Sequence, residues 1–181
     1  MMTLDYFRDS LPDTAKDVRL NLGTVLTVDG APGLTESQIN GVALASAYAA
    51  NCSPLVDVLL PQVDGATAQA AQAAATIMAM NNVYYRFVHL VGGAYKTMPA
   101  KLRMNVIAQP GIAKADFELM SMAVSAINGC GMCMEAHAHE LTQAGLTEQA
   151  VQSAVRIAAV VNAAAQAVRL QSLGHPVAVA A

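Results

Sequence analysis

Apolar residues near the N-terminus recur at intervals of three and four. Leu4, Phe7, Leu11, Ala15, Val18 and Leu22 follow this rhythm, which is that of a helix face. Pro12 interrupts it, so the pattern predicts two short helices meeting at Ser10-Leu11-Pro12. A loop follows over Val28–Gly33. Thr35 stands three residues before Gln38, a capping-box arrangement that opens a helix reaching about Ala50. Cys52-Ser53-Pro54 breaks that helix, and a new one runs through Val58. After a break at Asp64-Gly65, residues 66–91 read as one long helix closed by Gly92-Gly93.

The second half follows a similar plan. Gln109-Pro110-Gly111 turns into a helix from about Lys114 to Asn128, and Gly129 stops it. The next helix runs from about Cys130 to Gln143 and ends at Gly145. Thr147 caps a last long helix through Leu173. The halves echo one another. Gln69, Ala70, Gln72, Ala74, Ile77, Ala79 and Asn82 match residues 80 further on, and Cys52 falls on Cys130 at a shift of 78. The expectation is one all-α domain over residues 1–181, compact and oligomeric, with an internal repeat of about 35–92 on 113–173. No linker separates the halves.

Composition narrows the picture. Hydrophobic residues make up 55% of the chain and charged residues 13%, against about a quarter charged in a typical soluble domain. This surplus of apolar surface points to subunit contacts. Aromatics are at 4% with no Trp, so a sandwich or barrel core is disfavoured, whereas abundant Ala suits closely packed helices. The formal net charge is −3 and Lys and Arg do not cluster, which argues against nucleic-acid binding. The N-terminus lacks a basic-then-apolar signal pattern. Ala154–Val168 is interrupted by Arg156, Asn162 and Gln166 and falls short of a membrane span. A cytoplasmic protein without a membrane partner is expected. In such a compartment a close cysteine pair points to metal binding or redox catalysis rather than a structural staple.

The chemistry-bearing stretch is Asn128-Gly129-Cys130-Gly131-Met132-Cys133-Met134-Glu135-Ala136-His137. Thiols three apart on a helix share a face within disulfide reach. Cys130 would sit near the helix N-terminus, where the field favours thiolate. His137 lies one turn beyond Cys133, placed to take a thiol proton, and Glu118 on the preceding helix could orient that imidazole. Two other readings compete. The thiols could be inert core residues, or Cys130, Cys133, His137 and His139 could ligate zinc. Against zinc, structural sites draw ligand pairs from separated segments, and His139 points about 200° away from His137 on the helix. No βαβ pattern surrounds the cysteines, so a thioredoxin fold is not supported. Cys52 reads as a buried thiol. His89 and His175 have no companions, and Glu135 and Glu140 read as solvated. Asn81, Asn82 and Arg86, unusual in an apolar helix, read as satisfying buried polar or subunit contacts.

Glu118, Cys130, Cys133 and His137 together reproduce E-x11-C-x2-C-x3-H, the signature of the alkyl hydroperoxide reductase D (AhpD) family within the carboxymuconolactone decarboxylase-like superfamily. The resemblance extends to Leu11-Pro12 with Ala15-Lys16-Asp17, to Ile77–Val83, to Leu102–Asn105 and to Phe117–Leu119, and covers essentially the whole chain. It implies an all-α homotrimer that reduces alkyl hydroperoxides and regenerates an AhpC-type peroxiredoxin, with no bound cofactor or metal. Electrons would come from a dihydrolipoyl group on a lipoylated acyltransferase, recharged by a dihydrolipoamide dehydrogenase. Cys133 would be the nucleophile that becomes sulfenic acid, and Cys130 the proton donor and resolving thiol of a Cys130–Cys133 redox disulfide. His137 and Glu118 would form the proton relay. The alternative is a non-enzymatic thiol–disulfide carrier for a peroxiredoxin. A third reading, a decarboxylase or lactone-processing relative, has no need of paired thiols. Family members often carry a histidine between the cysteines, where this chain has Met132. A relay through that second imidazole is absent here, which implies slower peroxide turnover or a shift to higher pH.

Overall fold

A computed structural model describes residues 2–174. His175 lies outside them. The described chain folds into helices α1 (Leu4–Asp9), α2 (Lys16–Val25), α3 (Glu36–Ala49), α4 (Ser53–Leu59), α5 (Gly65–Val91), α6 (Asn105–Ala108), α7 (Lys114–Ile127), α8 (Gly131–Gln143) and α9 (Glu148–Ser172), with no strand among the described residues. The all-α expectation holds. The predicted start signals form as hydrogen bonds. The Gln38 amide donates to Thr35 Oγ1 and the Thr35 amide to Gln38 Oε1 (3.3 and 2.9 Å), closing the capping box of α3. Asp64 caps α5 and Thr147 caps α9 through the side chain alone, accepting from the Thr67 and Ala150 amides. Pro12 separates α1 from α2 through a short 3-10 turn, Asp13–Ala15. No element was legible in the sequence across 94–108. There the structure places a 3-10 turn, Gly93–Lys96, and the four-residue α6.

Helices α3 and α7 form the centre. Both are buried almost all round: Gly41–Ala47 of α3 and Phe117–Ser125 of α7 are unbroken buried runs. Such helices lose the one-sided pattern of a surface helix because every face meets a neighbour. Small residues let the backbones approach. A Cβ added at Gly41 would sit 2.5 Å from Met120 Cε, so a larger residue where α3 meets α7 would displace the end of the Met120 side chain. α5 packs along both central helices and along α8, while α9 covers α2, α3 and α7. One core cluster therefore runs from Phe7 to Ala167 and joins both halves of the sequence.

By length and composition alone α9 does reach the range of a membrane span, with a best-window mean hydropathy of 1.2. The sequence reading placed it just short. Its Ala154, Ile157, Ala158, Val161, Ala164 and Ala165 are nonetheless buried against the other helices, the position of a core helix. On the far half of α5, Val83, Phe87, Leu90 and Val91 are exposed and recur at helical spacing, with Tyr95 and Met98 exposed beyond them. Part of the apolar surplus of the composition thus lies in one stripe.

Candidate active site

The hairpin α7–α8 carries the paired cysteines. Asn128 ends α7, and Gly129 follows at φ +68°, a left-handed conformation that L side chains rarely adopt. The chain then enters α8 through Cys130, which is extended (φ −97°, ψ 95°) and occupies the N-cap, at the helix N-terminus expected from sequence. Its N–H donates to the Ser125 carbonyl (3.1 Å) and its carbonyl accepts from the Met134 amide (3.0 Å). Cys133 lies in the first turn. The two Cα atoms are 5.4 Å apart and the thiols are joined as a disulfide, a separation suited to that bond. Cys130 is completely buried, whereas Cys133 is 6% exposed.

His137 follows one turn later on the same helix. Its Nδ1 lies 2.6 Å from Glu118 Oε2, which reaches across from α7. Both side chains are buried. A carboxylate on Nδ1 selects the tautomer protonated there and leaves Nε2 as the basic nitrogen. The structure thus brings Glu118, His137, Cys130 and Cys133 together on two adjacent helices. His139 and Glu135 of α8 are exposed. Among the described residues no group of three or more His, Cys, Asp or Glu side chains is arranged to hold a metal ion.

Two openings flank this cluster. One is a cavity of about 330 Å³ between α5, α8 and the segment before α7. Cys133 and His137 border it, together with Met78 and Tyr85 of α5, Met104, Ile107 and Met132. Met132 therefore contributes a thioether wall beside the reactive pair. The other opening, about 240 Å³ between α7 and α8, is bordered by Glu118, Lys114 and Glu140. Glu140 is exposed, as expected, and pairs with Lys114 at the surface. Its Oε2 lies 2.5 Å from Lys114 Nζ, and each charge strengthens the other: Lys114 is held above its ordinary range and Glu140 below it, chiefly through that hydrogen bond. A larger cavity of about 530 Å³ over Tyr48, Gln72 and Asn128 borders neither cysteine.

Polar side chains of α5 fix the turn before Cys130. Asn82 Nδ2 donates to Ser125 Oγ and Asn128 Nδ2 donates to Asn82 Oδ1, both at 2.9 Å, while Arg86 Nη1 donates to the Asn128 carbonyl at 2.7 Å. Asn82 thus makes the buried polar contact expected of it, whereas Arg86 is exposed and holds the turn from the surface. Asn81 differs: it borders the cavity beside Cys133, and its Oδ1 has no hydrogen-bond partner among the described residues. Sequence reasoning did not separate it from Asn82. The one available signal was spacing, since Met78, Asn81 and Tyr85 share a helix face.

A helical protein with a dithiol at a helix start and a His–Glu pair behind it falls in the carboxymuconolactone decarboxylase-like class, and a model of the carboxymuconolactone decarboxylase family matches residues 93–171. Full-length relatives resolve the class further. Alkyl hydroperoxide reductase AhpD of Coxiella burnetii is 53% identical over 168 residues, spanning 90% of this chain and 95% of its own. The protein of that name from Rhizorhabdus wittichii is 52% identical over 169 residues (91% and 96%), and that from Methylocella silvestris 50% over 177 residues (95% and 98%). The chain belongs to the alkyl hydroperoxide reductase AhpD family.

Proposed function

We propose that this chain reduces alkyl hydroperoxides through Cys133 and Cys130 and passes reducing equivalents to an AhpC-type peroxiredoxin. The observation that carries the reading is an asymmetry. Cys133 and the His137 ring border one cavity, with Glu118 holding the far side of the ring, while Cys130 is sealed beneath. From sequence the helix N-terminus favours Cys130 and the imidazole favours Cys133, and the directional base together with the family resemblance decides for Cys133. Access favours Cys133.

In the proposed cycle His137 Nε2 takes the Cys133 proton. The thiolate attacks the terminal oxygen of ROOH, the O–O bond breaks, and Cys133 becomes the sulfenic acid. The alkoxide leaves as ROH with the proton of Cys130. The Cys130 thiolate then attacks the sulfenic sulfur, and the released hydroxide takes the proton from His137. Two thiols and ROOH have become a disulfide, ROH and water. A dihydrolipoyl dithiol on a lipoylated acyltransferase, recharged by dihydrolipoamide dehydrogenase, attacks Cys133 and restores both thiols by exchange. Cys130 is then the leaving thiolate at a helix N-terminus, which stabilises it. We further propose cytoplasmic function as a homotrimer, in which the apolar stripe of α5 is covered.

The deciding experiment counts free thiols in anaerobically reduced protein after one equivalent of an organic hydroperoxide. Two thiols should be lost, and Cys130→Ser should yield a trappable sulfenic acid at Cys133. No loss on a catalytic timescale sinks direct peroxide reduction and leaves the carrier role, read as peroxiredoxin turnover driven by dihydrolipoamide.

A further inference from the structure

We infer that the cavity beside Cys133 is a chamber for one slender apolar ligand, and that the Asn81 carboxamide is the group that holds the ligand's reactive end. The inference rests on the proposed dithiol chemistry and adds a ligand-binding residue and a substrate shape to it.

Two buried side-chain atoms lack a hydrogen-bond partner among the described residues, Ser121 Oγ and Asn81 Oδ1. Ser121 is sealed in the core at 0% exposure. Asn81 is only 4% exposed, yet it borders the cavity. An amide oxygen kept from water without a donor is costly, and folded proteins rarely leave one so. The neighbours cannot supply the donor. Tyr85 Oη is directed at Met104 Sδ (4.0 Å), and His137 Nδ1 is engaged by Glu118. The rest of the wall is thioether and aliphatic: Met78, Met104, Ile107 and Met132. A ligand that satisfies this surface has an apolar body and a single hydrogen-bond donor at the end that meets Cys133.

Two sources share that chemistry. In an alkyl hydroperoxide the donor is the terminal O–H, which Asn81 Oδ1 accepts while the Cys133 thiolate attacks the same oxygen. In a dithiol arm such as dihydrolipoamide the donor is the second thiol, and the hydrocarbon chain lies along the methionines. Neither role alters the balance of the steps above. Hydrogen peroxide has no body to fill the chamber and gains least from it.

The test is Asn81→Leu in the full-length protein, with both half-reactions followed by rapid mixing. The reduced protein meets cumene hydroperoxide, tert-butyl hydroperoxide or hydrogen peroxide, and the disulfide form meets dihydrolipoamide. The expected result is a loss of about 10- to 100-fold in second-order rate for the organic hydroperoxides, for dihydrolipoamide, or for both. The arm that slows identifies the source. Hydrogen peroxide offers the same O–H donor and should slow alongside the organic hydroperoxides where the peroxide arm is the source, while the melting temperature should hold or rise because an unpaired acceptor has gone. Unchanged rates in both arms overturn the inference. So does a loss in every arm accompanied by a lowered melting temperature, which marks Asn81 as structural. A second variant, Ala136→Leu, fills the rim of the chamber without touching Asn81. It should slow cumene hydroperoxide more than tert-butyl hydroperoxide, and an equal effect on all three peroxides counts against the chamber. The underlying dithiol reading fails separately, if wild-type protein loses no thiols to any peroxide and its disulfide is not reduced by dihydrolipoamide.

Discussion

Helices α3 and α7 are each 14 residues long, and each passes the chain through a buried cysteine into a second helix, Cys52 before α4 and Cys130 before α8. The local backbones agree closely. A residue of positive φ precedes each cysteine, Asn51 at 52° and Gly129 at 68°. The cysteines sit at φ −113°, ψ 91° and φ −97°, ψ 95°. Their N–H groups donate to carbonyls five residues back, Ala47 and Ser125. The helix starts Glu36 and Lys114, and Ser53 and Gly131, are both 78 residues apart. At that offset Glu118 corresponds to Asn40, Cys133 to Leu55 and His137 to Leu59. Leu55 and Leu59 are buried at 0% and 1% exposure. The turn is therefore a way of placing a thiol at a helix N-terminus. Reactivity depends on what the next two turns and the preceding helix present to that thiol. In the first hairpin they present core, and burial pushes the Cys52 thiol up.

The comparison breaks most visibly at the nucleophiles. Cys133→Ser should reduce hydroperoxide consumption by more than about 10³-fold, while Cys52→Ser leaves the rate per folded molecule within about twofold, as steady-state peroxide assays would show. Next comes the relay. Glu118→Gln keeps the volume of the side chain but removes the charge that orients and stabilises the imidazolium. Peroxide reduction should fall by about 10²-fold, with the loss visible in the pH–rate profile. An unchanged profile would assign Glu118 to packing.

A milder change sharpens the contrast. Leu55→Cys gives the first hairpin a second thiol three residues after Cys52. Because the backbones match, mild oxidation should remove two further thiols, yet peroxide turnover should not rise, since Leu59 and Asn40 stand where His137 and Glu118 would be needed. The cost is one buried leucine side chain shortened, about 1–3 kcal/mol on denaturant melts. The smallest effect is the titration of Cys52. Burial raises its folded-state value above the ordinary 9.0. The folded protein therefore holds that proton to higher pH than the unfolded chain does. Stability tied to it is complete below 9.0 and is lost as pH rises through the raised value. Denaturation at about pH 7 and about pH 10.5 should show a smaller pH-dependent loss in Cys52→Ala than in wild type.

The helices were legible because their stop and start signals are local. Thr35 with Gln38, Asp64-Gly65, Gly92-Gly93, Gly129, Gly145 and Thr147 all act within a few residues of themselves. The segment 94–108 was not legible. Its 3-10 turn and α6 are too short for periodicity to show, and Met104 and Ile107 border the cavity facing α5 and α8. The start of α8 near Cys130 was legible from Gly129, but not that Cys130 itself is the N-cap. An N-cap differs from a first turn by a single ψ angle, and the Ser125 carbonyl that holds it belongs to the previous helix.

By itself the sequence determined an all-helical chain with a pair of thiols at a helix start and a histidine one turn on, because helix periodicity and caps are properties of neighbouring residues. Only the tertiary structure decided which partners those residues meet. The contact between Glu118 and His137 depends on how α7 and α8 fold against each other. The difference between Asn82, fully hydrogen-bonded to α7, and Asn81, left unpaired in a cavity, arises because adjacent residues on a helix point about 100° apart and so reach different neighbours. Spacing along α5 groups Asn81 with Met78 and Tyr85, but only the packing of α5 between α7 and α8 decides that this face meets the cavity.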